Sequence, residues 1–293
     1  MNAIDKEVQA SITQLWVYPV KSCAGIALER AKLCASGLAW DRSFMLVDAQ
    51  GEFLTQRSHA RMALIRPELE AEHLVLHFAG QAPLRVALQA RGPERRVRVW
   101  SDWVDAWDMG PEPARWLSQA LGTDCALVRF DPARPRQASR RWCGEEHAPV
   151  QFADGYPLLV LSQASVDELN QRLQAQGHEA VTALRFRPNI VLGELQAHDE
   201  DRVDAFEFAE LAGLSLRLVK PCTRCPIPDI DPATALAGTA VSQAMAAYRQ
   251  DERVGGAITF GMNALVLGLD AGAAEQGLEI ALGQRLGADW SFG

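Results

Sequence analysis

No segment of this chain approaches the roughly 18 uninterrupted apolar residues that a membrane-crossing helix needs. The opening residues, MNAIDKEVQASITQ, have no apolar run of the kind that marks a secretory leader. Positive charge is also short: 29 Lys plus Arg stand against 37 Asp plus Glu, for a formal net charge of −8. That balance argues against a protein that coats nucleic acid or anionic lipid, although local basic patches stay open. Cysteine is sparse, six in 293 residues, without framework spacing. Such usage fits a reducing compartment where thiols stay free. The expectation is a cytoplasmic protein without a nucleic-acid or membrane partner. There is no internal repeat, and the one biased stretch is Asp131 to Glu146, rich in proline and arginine.

What is present is enough to fold. Hydrophobic residues make up 48% and charged residues 23%, sufficient for one large core or two packed ones. The first hundred residues read as short strands, with alternating runs at Ile12 to Val20, Ser43 to Asp48, His73 to Phe78 and Arg95 to Trp100. Asp48-Ala-Gln-Gly51 is a turn signal leading to a strand around Phe53. This spacing predicts a small β-barrel or sandwich. Pro113 to Leu121 reads as a helix ended by Gly122. The arginine stretch, with Arg134, Arg136, Arg140 and Arg141, reads as a long surface loop and the boundary between two halves. Beyond it, Pro157 to Leu161 is a buried strand, and Ser165-Val-Asp-Glu168 is a capping box opening a helix to about Gln176. Asn189 to Leu192, Leu214 to Val219, Asn263 to Leu267 and Glu279 to Leu282 are further strands.

The chemistry concentrates between Lys220 and Pro232, where Cys222 and Cys225 flank Thr223 and Arg224. A neighbouring cation favours the thiolate, the form that attacks electrophiles and binds metals. A thioredoxin-like motif needs a helix after its second cysteine, but prolines at 226, 228 and 232 predict an extended path. A structural zinc site needs four ligands, and Cys23, Cys34, Cys125 and Cys143 offer no second pair. Two readings remain: a single thiolate on a proline-braced loop that ligates a metal whose other ligands come from a cofactor, or two half-buried cysteines in a turn.

Other polar clusters fall at strand ends. Tyr18-Pro-Val-Lys21-Ser22-Cys23 followed by Gly25 suits a phosphate, or is a solvated lysine at a turn. Arg42 clamps an anion or pairs with Asp41. Phe186-Arg187-Pro188-Asn189 and Phe260-Gly261-Met262-Asn263 put polar groups at strand mouths, the second with a glycine that allows close backbone approach. Phe152-Ala-Asp154-Gly155-Tyr156-Pro157 adds a glycine turn whose amides suit an anion. Asp229 and Asp231 relay protons or form Asx turns.

Tyr18-Pro-Val-Lys21-Ser22, Asp41-Arg42, Phe186-Arg187-Pro188-Asn189, Cys222-Thr-Arg-Cys225 with Asp231-Pro232, and Phe260-Gly261 occur in this order. Together they resemble the MOSC-domain proteins of the amidoxime-reducing component and YcbX type over roughly residues 10 to 288. The resemblance implies a mixed, β-rich α+β fold. An N-terminal MOSC β-barrel domain, residues 10–130, would pack on a C-terminal MOSC β-barrel domain with a few helices, residues 131–288, with molybdenum cofactor between them. It implies that Cys225 ligates molybdenum while Cys222 is a neighbour. Contacts to the cofactor would fall to Lys21, Ser22, Arg42, Gly155, Tyr156, Arg187, Asn189, Thr223, Arg224 and Asn263. The implied reaction is reductive oxygen removal from small N-hydroxylated substrates (hydroxylamines, amidoximes, N-hydroxylated bases), with Asp231 as candidate proton donor. The sequence has no C-x4-C-x2-C run and so no iron–sulfur cluster of that type is expected. Electrons are then expected from a separate flavoprotein reductase, ferredoxin or flavodoxin, for which the arginine stretch is a candidate dock. The alternative is a cofactor or sulfur carrier without redox turnover, as in the MOSC domain of molybdenum-cofactor sulfurases.

Overall fold

The architecture is taken from a computed structural model, which describes residues 3–291. In chain order, the strands of its ring and of the smaller sheet beside it are β1 (Val8–Val17), β2 (Phe44–Val47), β3 (Glu94–Val99), β4 (Asp102–Asp108), β5 (Ala126–Phe130), β6 (Leu158–Ser162), β7 (Ile190–Gly193), β8 (Ala205–Phe208), β9 (Ser215–Thr223), β10 (Ala257–Leu267) and β11 (Arg285–Ala288). Seven of them form a closed barrel in the order β6-β7-β1-β11-β8-β9-β10, and pairing of β10 with β6 completes the ring. Closure leaves the ring without free edges. The order β2-β5-β4-β3 makes a half-barrel beside it.

Strand β1 shows how the sequence builds the ring. Val8, Ala10 and Ile12 face inward, and then the phase changes so that Leu15 and Val17 do. The pairing of β1 with β7 slips between Ile12 and Gln14. One extra residue there inverts the side-chain parity, which otherwise would turn the second half of the strand out of the core. The inward residues pack with Val160, Ile190, Phe206, Leu216 and Ala264.

The β-rich fold with few helices matches the sequence reading, with instructive differences. Strand β1 belongs by sequence to the first half, yet it pairs with β7 and β11 of the second. The arginine stretch is not a plain surface loop. Arg136 and Gln137 pair with Pro149 and Val150, and Arg140–Cys143 is one helical turn. The Arg136 guanidinium donates to the carbonyls of Gln151 (2.9 Å) and Ala153 (2.8 Å) and pairs with Asp102, pinning the half-barrel to the segment that lines the site. The second helix begins earlier than the capping box at Ser165 implied. It spans Gln163–Ala175 with Ser162 as its cap, whose hydroxyl accepts the Ser165 N–H. Ser165 instead uses its hydroxyl to donate to the buried Glu200 carboxylate at 2.8 Å.

Glu200 is fully buried, and burial pushes its carboxyl up to about 7. The neighbouring backbone N–H of His198 donates to the same Ser165 hydroxyl, and burial drives the His198 imidazole down to about 4, aided by Arg249. The two residues have opposite linkage. Glu200 binds a proton more tightly folded than unfolded, so its contribution is lost as pH rises from about 4.5 to 7; His198 binds one less tightly, so its contribution is gained between about 4 and 6.5. In the wild type the slopes largely cancel. Relative to the wild type, Glu200→Gln should gain stability with rising pH by roughly 3 kcal/mol across that window, and His198→Gln should lose a similar amount. Urea unfolding at stepped pH measures both, and parallel pH profiles for all three proteins would refute the compensation.

Candidate functional site

A cavity opens where the ends of the barrel strands face the half-barrel, and its floor is organised around the ring of Tyr18. That side chain is fully buried just past β1. The Arg42 and Arg187 guanidinium carbons lie 4.4 and 4.3 Å from its ring centre. Gly25 is required by this packing, because a Cβ there would lie 2.6 Å from the Tyr18 ring. Both arginines have left-handed backbone, φ 48° at Arg42 and 57° at Arg187, a strain of the kind that collects at functional sites. Arg42 pairs with Asp41 and donates to Asn189 Oδ1 (3.2 Å) and the Arg187 carbonyl (3.1 Å). Asp41 also accepts the Tyr18 N–H at 2.8 Å.

Asn189 is almost completely spent on the protein. Its Oδ1 accepts from Leu159 N–H (3.1 Å) as well as from Arg42, and its Nδ2 donates to the Trp16 carbonyl (3.2 Å). It therefore ties β1, β6 and β7 together and orients Arg42. Lys21 is buried, with Nζ donating to the Phe152 carbonyl at 2.8 Å and pairing with Asp154. Burial lowers the proton affinity of Lys21, and the Asp154 charge opposes that.

The opposite wall follows β9. Arg224 donates from Nη2 to the Phe186 carbonyl (2.7 Å) and from Nη1 to the Cys222 sulfur. Cys222 and Cys225 are both free and half-buried, and both line the cavity. The prolines after Cys225 do not make the path extended as the sequence implied. Pro226 adopts helical backbone and caps a 3-10 turn, Ile227–Asp229, because its fixed φ suits the start of such a turn. At β10, Gly261 has φ 74° and comes so close to β6 that a Cβ would lie 2.8 Å from the Val160 carbonyl. Two residues further, Asn263 enters the cavity wall and donates to the Lys220 carbonyl at 3.2 Å.

The structure thus gathers Lys21, Ser22, Arg42, Gly155, Tyr156, Arg187, Asn189, Thr223, Arg224, Cys225 and Asn263 around one cavity. Asp231 is not among the lining residues. It pairs with Arg185 at 2.9 Å and accepts the N–H groups of Ala233 and Thr234, an Asx-type turn. Burial raises its pKa, but these hydrogen bonds outweigh that and hold it below the ordinary carboxylate range. An ionised Asp231 has no proton to give at neutral pH. Asp229 similarly accepts the Ser242 N–H, next to the helix Ala240–Ala246. Sequence reasoning missed Phe53, Thr55 and Arg57, which supply the half-barrel wall.

Five cations line this cavity against the single carboxylate of Asp154, in a chain of net charge −8. Arg187 Nη2 and Arg224 Nε are buried without a partner. Burial draws Arg187 down to about 10, and nearby Arg42 adds to the effect. Buried unpartnered donors on cations are costly unless an anion meets them. The chemistry therefore fits an anionic group, and two free sulfurs beside it fit a soft metal.

With the site's geometry in view, the class of protein follows. The MOSC N-terminal beta barrel domain model matches residues 9–124 and the MOSC domain model residues 147–285. The chain is 32% identical over 235 residues to mitochondrial amidoxime-reducing component 1 of Mus musculus, covering 77% of this chain and 67% of that protein. The Homo sapiens counterpart is 30% identical over 76% of this chain and 67% of that protein. Molybdenum cofactor sulfurase of Homo sapiens is 28% identical over 88% of this chain, but the match spans only 30% of that larger protein. This chain belongs to the MOSC-domain family that includes the mitochondrial amidoxime-reducing components. No helix among the described residues is long and apolar enough to cross a membrane.

Asp41→Ala should destabilise the protein by roughly 3–5 kcal/mol, because it leaves a buried guanidinium unpaired. Asp41→Asn, which keeps an acceptor for the Tyr18 N–H, should cost less. A loss under about 1 kcal/mol for the alanine variant in urea unfolding would show that Arg42 is not held this way.

Proposed function

We propose that this chain is a molybdenum-cofactor-dependent reductase of N-hydroxylated compounds. The observation that carries the reading is the pair of buried, unpartnered arginine nitrogens, on Arg187 and Arg224, lining the same cavity as the free Cys225 sulfur. An anionic pterin tail answers the first feature and a thiophilic metal the second. Arg187, Arg224, Lys21, Ser22 and Thr223 would hold the anionic tail, Gly155 and Asn263 would shape its bed, and Cys225 would ligate the metal. When bound, the cofactor supplies two-electron chemistry at a soft metal centre.

The reaction takes R–NHOH, two electrons and two protons to R–NH2 and water. This chain's part is to bind, orient and protonate. Tyr156 lines the cavity, and burial pushes its phenol well above the ordinary range, so its hydroxyl stays protonated across the working pH. Its hydroxyl would donate a hydrogen bond to the leaving oxygen. Asp231 fixes Arg185 and the loop after Cys225 and acts as a positioning residue. Electrons come from a separate redox protein, a flavoprotein reductase, ferredoxin or flavodoxin. Of the four arginines in the candidate dock, Arg134 pairs with Asp105 and Arg136 with Asp102, while Arg140 and Arg141 are exposed and make no ion pair among the described residues.

A second reading is a cofactor or sulfur carrier, favoured by the similarity to molybdenum cofactor sulfurase over 88% of this chain. The two readings share a bound cofactor and differ in turnover.

Protein from a cofactor-competent host should contain near-stoichiometric molybdenum and pterin, by elemental analysis and fluorescence of the oxidised pterin. Cys225→Ala should lose most of the metal while keeping its circular dichroism. The native protein should then reduce benzamidoxime with a reduced viologen as electron source. Molybdenum without turnover would favour the carrier. Absence of metal and pterin despite proven supply would retire both readings.

A further inference from the structure

The half-barrel wall of the cavity has a construction of its own. Trp100 sits at the tip of the β3–β4 hairpin with φ 57° and is 44% exposed, although large aromatic residues rarely adopt left-handed backbone. Its indole N–H donates to Asp154 Oδ1 at 3.1 Å, the carboxylate that pairs with Lys21. The Arg57 guanidinium carbon lies 4.4 Å from the Trp100 ring centre, and Phe53 meets the same indole edge-on at 5.2 Å.

Arg57 is placed by a built loop. Thr55 Oγ1 accepts the Arg57 N–H at 3.0 Å, and the buried Gln56 side chain donates to the Ser22 carbonyl at 2.7 Å, fastening the loop to the cavity floor. Arg57 is exposed and makes no ion pair among the described residues, whereas Arg95 and Arg98 on the adjoining strand β3 each have a carboxylate. The deep arginines have their unpartnered nitrogens buried. Arg57 is the lining cation that stays at the solvent edge, where a molecule arriving after the cofactor would meet it.

We propose that Arg57, braced by Trp100, forms the substrate-side edge of the cavity, and that it selects N-hydroxylated substrates bearing an anionic group on the end away from the N–O bond. The inference rests on the reductase reading and adds the substrate class. The indole supports the guanidinium from one side, and the guanidinium offers a fork for a carboxylate or phosphate. Neutral substrates gain nothing from that fork.

The test compares benzamidoxime with 4-carboxybenzamidoxime on the loaded enzyme, and separately their unreactive analogues benzamide and 4-carbamoylbenzoate by titration calorimetry. The wild type should favour the carboxylate in kcat/KM by about fivefold, the scale of one partly exposed ion pair, mainly through KM. Arg57→Gln should erase the preference and Arg57→Lys should retain part of it. Trp100→Leu, which removes the brace under Arg57, should shrink the preference. An unchanged preference in Arg57→Gln overturns the proposal, as does loss of molybdenum in that variant, which would assign Arg57 to the cofactor. If no N-hydroxylated compound is reduced but 4-carbamoylbenzoate binds preferentially and Arg57→Gln abolishes this, the reductase reading fails and the wall assignment stands.

Discussion

Arg42 and Arg187 are held against one phenol ring, and that crowding of positive charge is the constraint around which the cavity is built. Two guanidiniums beside each other repel, and among the described residues the only carboxylate paired with either is Asp41, on Arg42. The ring of Tyr18 offers both an attractive face. Holding it there requires Gly25, whose missing side chain lets the ring lie flat. Holding the arginines requires left-handed backbone at both, and Asn189 to orient Arg42. The surplus charge left over is what makes the floor receptive to an anion.

The motifs that resembled a family were legible because each ends or begins a strand, where chain direction and ring closure bring it to one mouth. Lys21 follows β1, Arg187 and Asn189 precede β7, and Thr223 ends β9 with Arg224 and Cys225 just beyond it. Strand positions were readable from alternation, whereas Gly261, expected at a strand start, lies inside β10. Other features had no local signature. The phase change in β1 hides its last residues from simple alternation. Ser165 looks like a helix cap by spacing, but Ser162 takes that place and Ser165 turns to Glu200, a partner 35 residues away. Arg136 reads as a loop arginine because its acceptors, on Gln151 and Ala153, come together with it only in the fold. Asp231 was attractive by proximity to Cys225 in sequence, yet its carboxylate turns away to Arg185. Phe53, Thr55 and Arg57 carried no motif, since the half-barrel reaches the site through a hairpin and not through a strand end.

The two parts of the fold divide the labour of the cavity. The closed barrel supplies thiols and buried cations on elements fixed by ring pairing, which gives them little freedom to adapt. The half-barrel supplies a wall of aromatic and exposed basic groups on a loop and a hairpin tip, where sequence change is tolerated without loss of the core. Relatives that share the barrel can therefore differ in what they admit while keeping the same floor.

The threading of β1 into the barrel also fixes the order in which the molecule can be made. Val8 pairs with Ala288, so the ring cannot close until nearly the whole described chain has left the ribosome. Until then β1 is an unpaired strand on that side, and the half-barrel sequence must collapse beside an incomplete neighbour. Pairing over 280 positions makes closure slow compared with local hairpins, and it leaves exposed strand edges open to association with other chains. The Tyr18 floor lies directly after β1 and inherits this timing. A receptive cavity therefore exists only once residues 285–288 have emerged and closed the ring.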